Sequence, residues 1–188
     1  MKIIKLTYRI YEIPKKLQVA VDSKWPKIGD IKMKLYNEFI NIAKTLNKEL
    51  DIIPLLYGSL GLEKVTGLNF SPEDIDILIP VIFLEEKWEK LKKSMELQGY
   101  KLVDLHEHEF RKTNTKIGIA CIEDLKPFAD VDYNNLGVFE DDGAKYHLLT
   151  IDDYLKVYNK SLLDGYRRTK KSNKDQSKIN ILNKLIQY

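Results

Sequence analysis

Two aspartates that stand two residues apart, Asp74 and Asp76, begin an apolar segment of the sequence. Because side chains alternate across a β-strand, a strand at this position would place both carboxylates on the same face. Neighbouring carboxylates repel each other unless a cation neutralises them. Mg²⁺ is the natural candidate, since it prefers hard oxygen ligands and often takes one or two carboxylates together with substrate phosphates. The alternative is an exposed acid pair without a role, and an Asp-x-Asp pattern alone does not exclude it.

A glycine and a serine, Gly58 and Ser59, close the short apolar run 52–57 and precede Asp74 by a spacer of fourteen residues. Glycine lets the backbone approach a ligand closely. A helix that starts here would offer free N–H groups and a partial positive charge to a phosphate, and Ser59 would add a hydroxyl donor. The same dipeptide also suits an ordinary strand-to-helix turn, so it supports a phosphate site only in combination with other residues.

Two further aspartates, Asp130 and Asp132, lie in the segment 128–133, whose composition predicts a β-strand. On a strand they share a face, so either could reach the acid pair. A third carboxylate would complete a two-metal site, in which two ions about 3.5–4 Å apart clamp the attacking and leaving oxygens. The residues themselves leave open which of the two aspartates takes part.

The elements that must position these residues follow from the hydrophobic periodicity. Strands are predicted at 4–10, 52–57, 75–83, 100–112, 116–122 and 128–133. Helices are predicted at about 31–48, 84–98, 151–164 and 175–187, with a turn or two of helix at 60–65, a loop at 134–145 and a linker at about 165–174. This order indicates a mixed α/β or α+β domain with a C-terminal helical segment.

Composition limits the classes of protein to which the chain can belong. Its 188 residues suffice for one domain, or one domain with a small appendage, and 44% hydrophobic with 31% charged residues is typical of a soluble protein. A net charge of +3 gives no reason to expect a nucleic-acid partner. The single cysteine excludes an intrachain disulfide. No apolar stretch approaches the roughly 18–20 residues of a membrane helix, and the first residues lack the features of a secretory signal, so we expect a cytoplasmic location without membrane contact.

Two weaker patterns have simpler alternatives. His106 and His108 would share one face of a strand, with Glu107 and Glu109 on the other, but no third or fourth zinc ligand is obvious. The basic stretch 167–171 could contact nucleic acid, yet the acids of the whole chain balance it and a solvated linker explains it more simply.

Taken together, the central motifs resemble those of the DNA polymerase β-like nucleotidyltransferase superfamily. That pattern consists of a strand, Gly-Ser, a helix, a strand with Asp-x-Asp and a later acid between apolar residues. The matching positions are Gly58-Ser59, Asp74-Ile75-Asp76-Ile77-Leu78 and Val131-Asp132-Tyr133. The segments 99–103, 109–111, 148–154 and 174–179 are similar to the small bacterial lincosamide and aminoglycoside nucleotidyltransferases. The long spacer departs from this pattern, as does Lys178, which stands where an acid is usual in a Lys-Asp-x-x-Asp-Ile helix.

The resemblance implies a nucleotidyltransferase-type mixed sheet flanked by helices. The catalytic domain would span 1–150, with residues 1–28 as an N-terminal strand and extension, and the C-terminal helical segment would span 151–188. It also implies that Asp74, Asp76 and Asp132 bind two Mg²⁺ ions and that Gly58 and Ser59 hold the β- and γ-phosphates of a nucleoside triphosphate. Asp132 matches the apolar-acid-apolar form better than Asp130 does.

The expected reaction is the transfer of a nucleoside monophosphate from an NTP to an acceptor hydroxyl, with release of pyrophosphate. Asp132, as base or metal ligand, would then lie on the attacking side, and Glu107 or Glu109 could serve as general base. A small, antibiotic-like molecule is the first candidate for the acceptor. The alternatives are a regulatory module of the same fold in a toxin–antitoxin pair, and an enzyme that modifies RNA or protein.

Overall fold

The computed structural model describes residues 28–163 and 172–186, which contain both helices and strands. The helices are α1 (Ile28–Leu50), α2 (Gly58–Thr66), α3 (Trp88–Leu97), α4 (Leu125–Ala129), α5 (Ile151–Leu163) and α6 (Ser172–Ile186). The strands are β1 (Leu55–Tyr57), β2 (Ile75–Ile79), β3 (Lys101–Asp104), β4 (Glu109–Lys112), β5 (Thr115–Cys121), β6 (Val138–Asp141) and β7 (Ala144–Leu148). The predicted strand 4–10 and the basic stretch 167–171 lie outside the described residues.

The strands form one mixed sheet in the order β3-β4-β5-β2-β1-β7-β6. Strand β2 pairs antiparallel with β1 and parallel with β5, so it occupies the centre of the sheet. Its register pairs Tyr57 with Asp76 on one side and Gly118 with Asp76 on the other. The mixed α/β prediction is therefore confirmed, and the acid pair lies at the start of the central strand.

The two faces of the sheet are covered by separate hydrophobic clusters. The first cluster joins α1 and α3 to one face and includes Phe39, Leu46, Ile75 and Ile77. The second joins α4, α5 and α6 to the opposite face. Leu78 belongs to the second cluster, and alternation along β2 puts Asp76 on the same face as Leu78. The Asp76 carboxylate therefore points toward the side of the sheet that carries the C-terminal helices.

Several predicted elements differ from the observed ones. The segment 128–133 is not a strand, because α4 occupies Leu125–Ala129 and ends at Asp130, which takes a left-handed conformation with φ 53°. The predicted strand 100–112 is interrupted by a turn at 105–108 and becomes β3 and β4. The predicted loop 134–145 contains β6 and a tight turn at Asp142 and Gly143, which both have positive φ. Strand β2 stops before Pro80, which cannot donate a ladder hydrogen bond.

The remaining helices agree with the prediction to within a few residues at each end. No helix among the described residues is long and apolar enough to cross a membrane.

Candidate active site

The Gly-Ser turn and the acid pair meet at the end of the β1–β2 ladder. Gly58 follows β1 directly and has φ 62°, a conformation that glycine adopts without strain. A Cβ atom added to Gly58 would lie 1.9 Å from the Oδ2 atom of Asp76. Only a residue without a side chain can therefore occupy this position while Asp76 keeps its place. The two motifs that the sequence separates by a long spacer are thus in contact.

Asp76 lies between two glycines. On the side away from Gly58, β5 places Gly118 beside it, and a Cβ atom added to Gly118 would be 3.4 Å from the Oδ1 atom of Asp76. Asp74 comes directly before β2 and is half-buried. The backbones on both sides thus confine the Asp76 carboxylate, whereas Asp74 is at the mouth of the same site.

The long spacer is accounted for by a helix and an anchored loop. Helix α2 takes up residues 58–66 and ends at Gly67, whose left-handed backbone caps it. The loop that follows is held by Glu63, whose Oε1 atom accepts a hydrogen bond of 2.5 Å from the backbone N–H of Phe70. Glu63 is buried, with 2% of its surface exposed. Helix α2 and the hydrogen-bonded loop after it therefore connect the Gly-Ser turn to Asp74.

The third predicted acid is not gathered with the other two. Asp132 is exposed and caps a short 3-10 helix, where its carboxylate accepts hydrogen bonds of 3.1 Å from Asn134 N and 2.7 Å from Asn135 Nδ2. Asp130 is also exposed and is paired with Lys126. Within residues 28–163 and 172–186, no three acid, histidine or cysteine side chains are close enough to hold a metal ion. The structure thus brings together Gly58, Asp74 and Asp76, but not Asp132.

A charged pair on the neighbouring strands comes next to the acid pair. Register pairs Glu109 of β4 with Gly118 of β5, so Glu109, Gly118 and Asp76 form a row across three strands on one face. Glu109 Oε2 accepts a hydrogen bond of 2.9 Å from Lys116 Nζ, and Arg111 approaches the other carboxylate oxygen at 3.3 Å. The sequence indicated Glu109 as a candidate base, and it offered Lys116 and Arg111 as phosphate contacts with solvated positions as the simpler alternative.

The charges of this row influence one another. The hydrogen bond with Glu109 raises the pKa of Lys116, and the nearby Asp74 and Asp76 carboxylates raise it further. The hydrogen bond with Lys116, supported by Arg111, lowers the pKa of Glu109. Lys116 is therefore an ammonium group paired with Glu109 and close enough to Asp74 and Asp76 to be stabilised by them.

The other weak candidates lie in the β3–β4 turn. Glu107 is exposed, and its backbone N–H donates to the Asp104 carboxylate. The ring of His108 packs on that of Trp88, with 4.9 Å between the centroids. His106 is exposed in the same turn.

Helix α6 also reaches the Gly-Ser turn, through Lys178. Its Nζ atom lies 3.2 Å from the Ser59 hydroxyl oxygen, 3.3 Å from the Tyr158 hydroxyl and 3.9 Å from the Asp175 carboxylate. Only 17% of the Lys178 side chain is exposed. The sequence showed Lys178 only as a departure from the acid that is usual at this position. Because Lys178 and Ser59 are far apart along the chain, the sequence did not predict that they lie side by side.

A stack of three tyrosines supports the site from below. Tyr154 lies between Tyr57 and Tyr158, with ring centroids 6.3 and 6.0 Å away. Tyr154 is completely buried, which raises the pKa of its hydroxyl well above the usual value. A Cβ atom added to Gly61 would lie 2.3 Å from this hydroxyl, so α2 and α5 pack in close contact. The stack therefore fixes α2, and with it the Gly-Ser turn, against the C-terminal helices.

A bacterial protein is similar to most of the chain. No protein-family model matches the sequence. A protein of Bacillus subtilis (strain 168) named "Uncharacterized protein YnaI" is 88% identical over 154 residues, which are 82% of this chain and 99% of that protein.

Among solved structures, an antigenic nucleotidyltransferase-like protein from Paracoccidioides brasiliensis superposes with a TM-score of 0.54 at 16% identity, over 81% of this chain and 77% of that one. The antibiotic-resistance factor ANT(2'')-Ia gives a TM-score of 0.43 at 10% identity, over 80% and 92% of the two chains. The first superposition confirms the predicted fold, a nucleotidyltransferase-like mixed sheet flanked by helices.

Proposed function

Since the chain belongs to the family of the Bacillus subtilis protein YnaI, and since it has a nucleotidyltransferase-like fold, we propose that it is a Mg²⁺-dependent nucleotidyltransferase. The observation that carries this proposal is the contact between Gly58 and Asp76. A glycine with positive φ and a carboxylate, eighteen residues apart in sequence, are packed so closely that no side chain could stand between them. Such an arrangement serves a ligand that must approach both backbone and carboxylate.

Asp74 and Asp76 hold the metal in this proposal, and Gly58 and Ser59 hold the β- and γ-phosphates of the NTP. Two carboxylates with substrate phosphates are a usual ligand set for Mg²⁺. A second ion bound by Asp132 is the fuller form of the proposal. It requires the Asp132 carboxylate to leave Asn134 and Asn135, with which it is hydrogen-bonded in the structure.

The reaction is an in-line displacement at the α-phosphorus of the NTP. The oxygen of the acceptor hydroxyl forms a bond to this phosphorus, the bond to the bridging oxygen breaks, and pyrophosphate leaves. Bound Mg²⁺ supplies charge neutralisation to the phosphates. Glu109, which is on the same face as Asp76, is the candidate to accept the proton of the hydroxyl. Positioning and electrostatic stabilisation carry most of the rate enhancement in such transfers.

The acceptor in this proposal is a hydroxyl of a small molecule, and the site of action is the cytoplasm. A protein or RNA acceptor, and a regulatory role within a toxin–antitoxin pair, are the competing outcomes. The release of pyrophosphate distinguishes these outcomes, because an enzyme acting on small molecules releases it without any macromolecular partner.

The test is the binding of each NTP, measured by calorimetry with and without Mg²⁺. We expect Mg²⁺-dependent binding of at least one NTP and its loss in the double variant Asp74→Asn, Asp76→Asn. The double variant Asp124→Asn, Asp152→Asn makes the same change of charge at two exposed positions and serves as control. The catalytic proposal fails if no NTP binds in a Mg²⁺-dependent manner, or if the Asp74, Asp76 variant binds as tightly as the control.

A further inference from the structure

We infer that Lys178 binds the terminal phosphate of the nucleotide, so that helix α6 completes the phosphate site begun by the Gly-Ser turn. This inference rests on the proposed function and adds to it a cationic group for the terminal phosphate. The residues that carry it come from three elements that are remote in sequence: Ser59 on α2, Tyr158 on α5 and Lys178 on α6.

The position of the ammonium group is the first step. Lys178 Nζ lies 3.2 Å from Ser59 Oγ, and Ser59 directly follows the glycine that touches Asp76. A ligand that reaches from Asp76 across the backbone of Gly58 to the Ser59 hydroxyl therefore arrives at Lys178. A phosphate oxygen there would meet the hydroxyl and the ammonium group together, both of which donate hydrogen bonds.

The charge of the site gives the second step. A nucleoside triphosphate is strongly anionic, and Asp74 and Asp76 repel it unless cations intervene. A metal ion held by Asp74 and Asp76 would neutralise part of the triphosphate, and the remaining negative charge would favour a second cation. Lys178 supplies such a charge beside the Ser59 hydroxyl, 3.2 Å from its oxygen.

The environment of Lys178 gives the third step. Its side chain is 17% exposed, and the Tyr158 ring packs beneath the ammonium group at 4.7 Å. Hydrogen bonds between an ammonium and a phosphate are stronger than those between neutral groups, and partial burial reduces their screening by water. The Tyr158 hydroxyl and Asp175 orient the lysine, with Asp175 at 3.9 Å, outside hydrogen-bond distance.

Inorganic ligands make the test independent of the base, which is unknown. The binding of pyrophosphate, inorganic triphosphate and monophosphate is measured by calorimetry with Mg²⁺ for the wild type, Lys178→Met and Lys178→Arg. We expect Lys178→Met to weaken pyrophosphate and triphosphate binding at least about tenfold, and monophosphate binding less than about twofold. Lys178→Arg should stay within about threefold of the wild type, because it keeps the charge.

Lys184→Met is the matched control, since it removes an exposed lysine from the same helix. A lysine that only fastens α6 to α2 would shift all ligands equally or none, and either pattern overturns the inference. If Lys178→Met does not fold, Lys178→Gln, which keeps a donor for the Ser59 hydroxyl, replaces it under the same criteria. Failure of the wild type to bind any NTP overturns the proposed function as well, whereas NTP binding with an unchanged Lys178→Met overturns this inference alone.

Discussion

At the scale of single residues, the site depends on the absence of a side chain at two glycines. Gly58 and Gly118 flank the Asp76 carboxylate, and each position would bring a side chain against it. The two are not equivalent, because the hypothetical Cβ atom is 1.9 Å from the carboxylate at Gly58 but 3.4 Å at Gly118. Gly58 also needs its positive φ. The steric and conformational demands therefore coincide at Gly58.

The variant Gly58→Ala separates these two demands when it is compared with Gly67→Ala. Gly67 ends the same helix with φ 72°, and a Cβ atom there would have no neighbour within 4 Å. We expect Gly67→Ala to lower the free energy of unfolding by about 1 kcal/mol through backbone strain alone. Gly58→Ala should cost about 1–3 kcal/mol more, through overpacking against Asp76, and should abolish NTP binding. Urea denaturation of both variants measures the difference, and equal losses would show that Asp76 moves away freely.

At the scale of elements, sequence reasoning succeeded where hydrophobic periodicity was regular and failed where a turn decided the structure. The buried runs of β1 and β2 and the Gly-Ser turn between β1 and α2 could be identified, because each has a strong local pattern. The segment around Asp132 could not, since Ala129, Val131 and Tyr133 alternate with Asp130 and Asp132 as they would in a strand. The left-handed backbone of Asp130 there depends on packing that no local pattern reveals.

Pairing between elements was also out of reach of the sequence. Lys116 and Lys178 are close to the acid pair and the Gly-Ser turn only because β5 lies beside β2 and α6 lies near α2. The sequence marked Lys178 only as a departure from the Lys-Asp-x-x-Asp-Ile pattern, and it favoured a solvated position for Lys116 over a phosphate contact. The register of the sheet places the charge of Lys116 beside Asp74 and Asp76.

The cross-strand pair of Glu109 and Lys116 gives a pH-dependent prediction. The pKa of Glu109 is lowered in the folded protein, so its contribution to stability is present above the usual value of 4.5 and is lost as the pH falls through the lowered value. We expect Glu109→Gln to lower the free energy of unfolding at pH 7 by about 0.2–1 kcal/mol, as for other partly exposed pairs. The gap between variant and wild type should close toward pH 3.

Urea denaturation at pH 7, 5 and 3 measures this gap. Glu107→Gln, in the exposed turn before β4, is the control and should show no such dependence. A gap for Glu109→Gln that stays constant down to pH 3 would contradict the assigned ion pair.

At the scale of the whole molecule, the two faces of the sheet differ, because one carries only the apolar core and the other also carries the candidate site. The cluster with α1 and α3 is a large apolar core on one face, whereas the cluster with α4, α5 and α6 shares its face with Asp76 and Glu109. Helix α6 joins this second cluster through Ile179 and Leu182 while Lys178 points to Ser59. We therefore expect the stability of the second cluster to be coupled to the completeness of the proposed phosphate site.

Leu182→Ala tests this coupling. Leu182 is completely buried, so the variant should lower the free energy of unfolding by about 2–5 kcal/mol. We also expect faster amide hydrogen exchange along α6 than along α1, and weaker binding of pyrophosphate without any change at Lys178. Leu185→Ala, at a position that is 37% exposed, is the matched control and should change neither quantity appreciably. Exchange that accelerates equally in both helices would mean that α6 does not open on its own.

The confinement of Asp76 between two backbones has a consequence for the speed of recognition. A carboxylate held by neighbouring main chains does not have to search for its rotamer when a ligand arrives, so the entropic cost of ordering it is met during folding. The ammonium group on α6 is positioned instead by a helix that packs on the sheet through Ile179 and Leu182. If α6 opens separately, as the exchange experiment tests, the acidic part of the proposed site would be ordered before a nucleotide arrives, and the return of α6 would set the residence time.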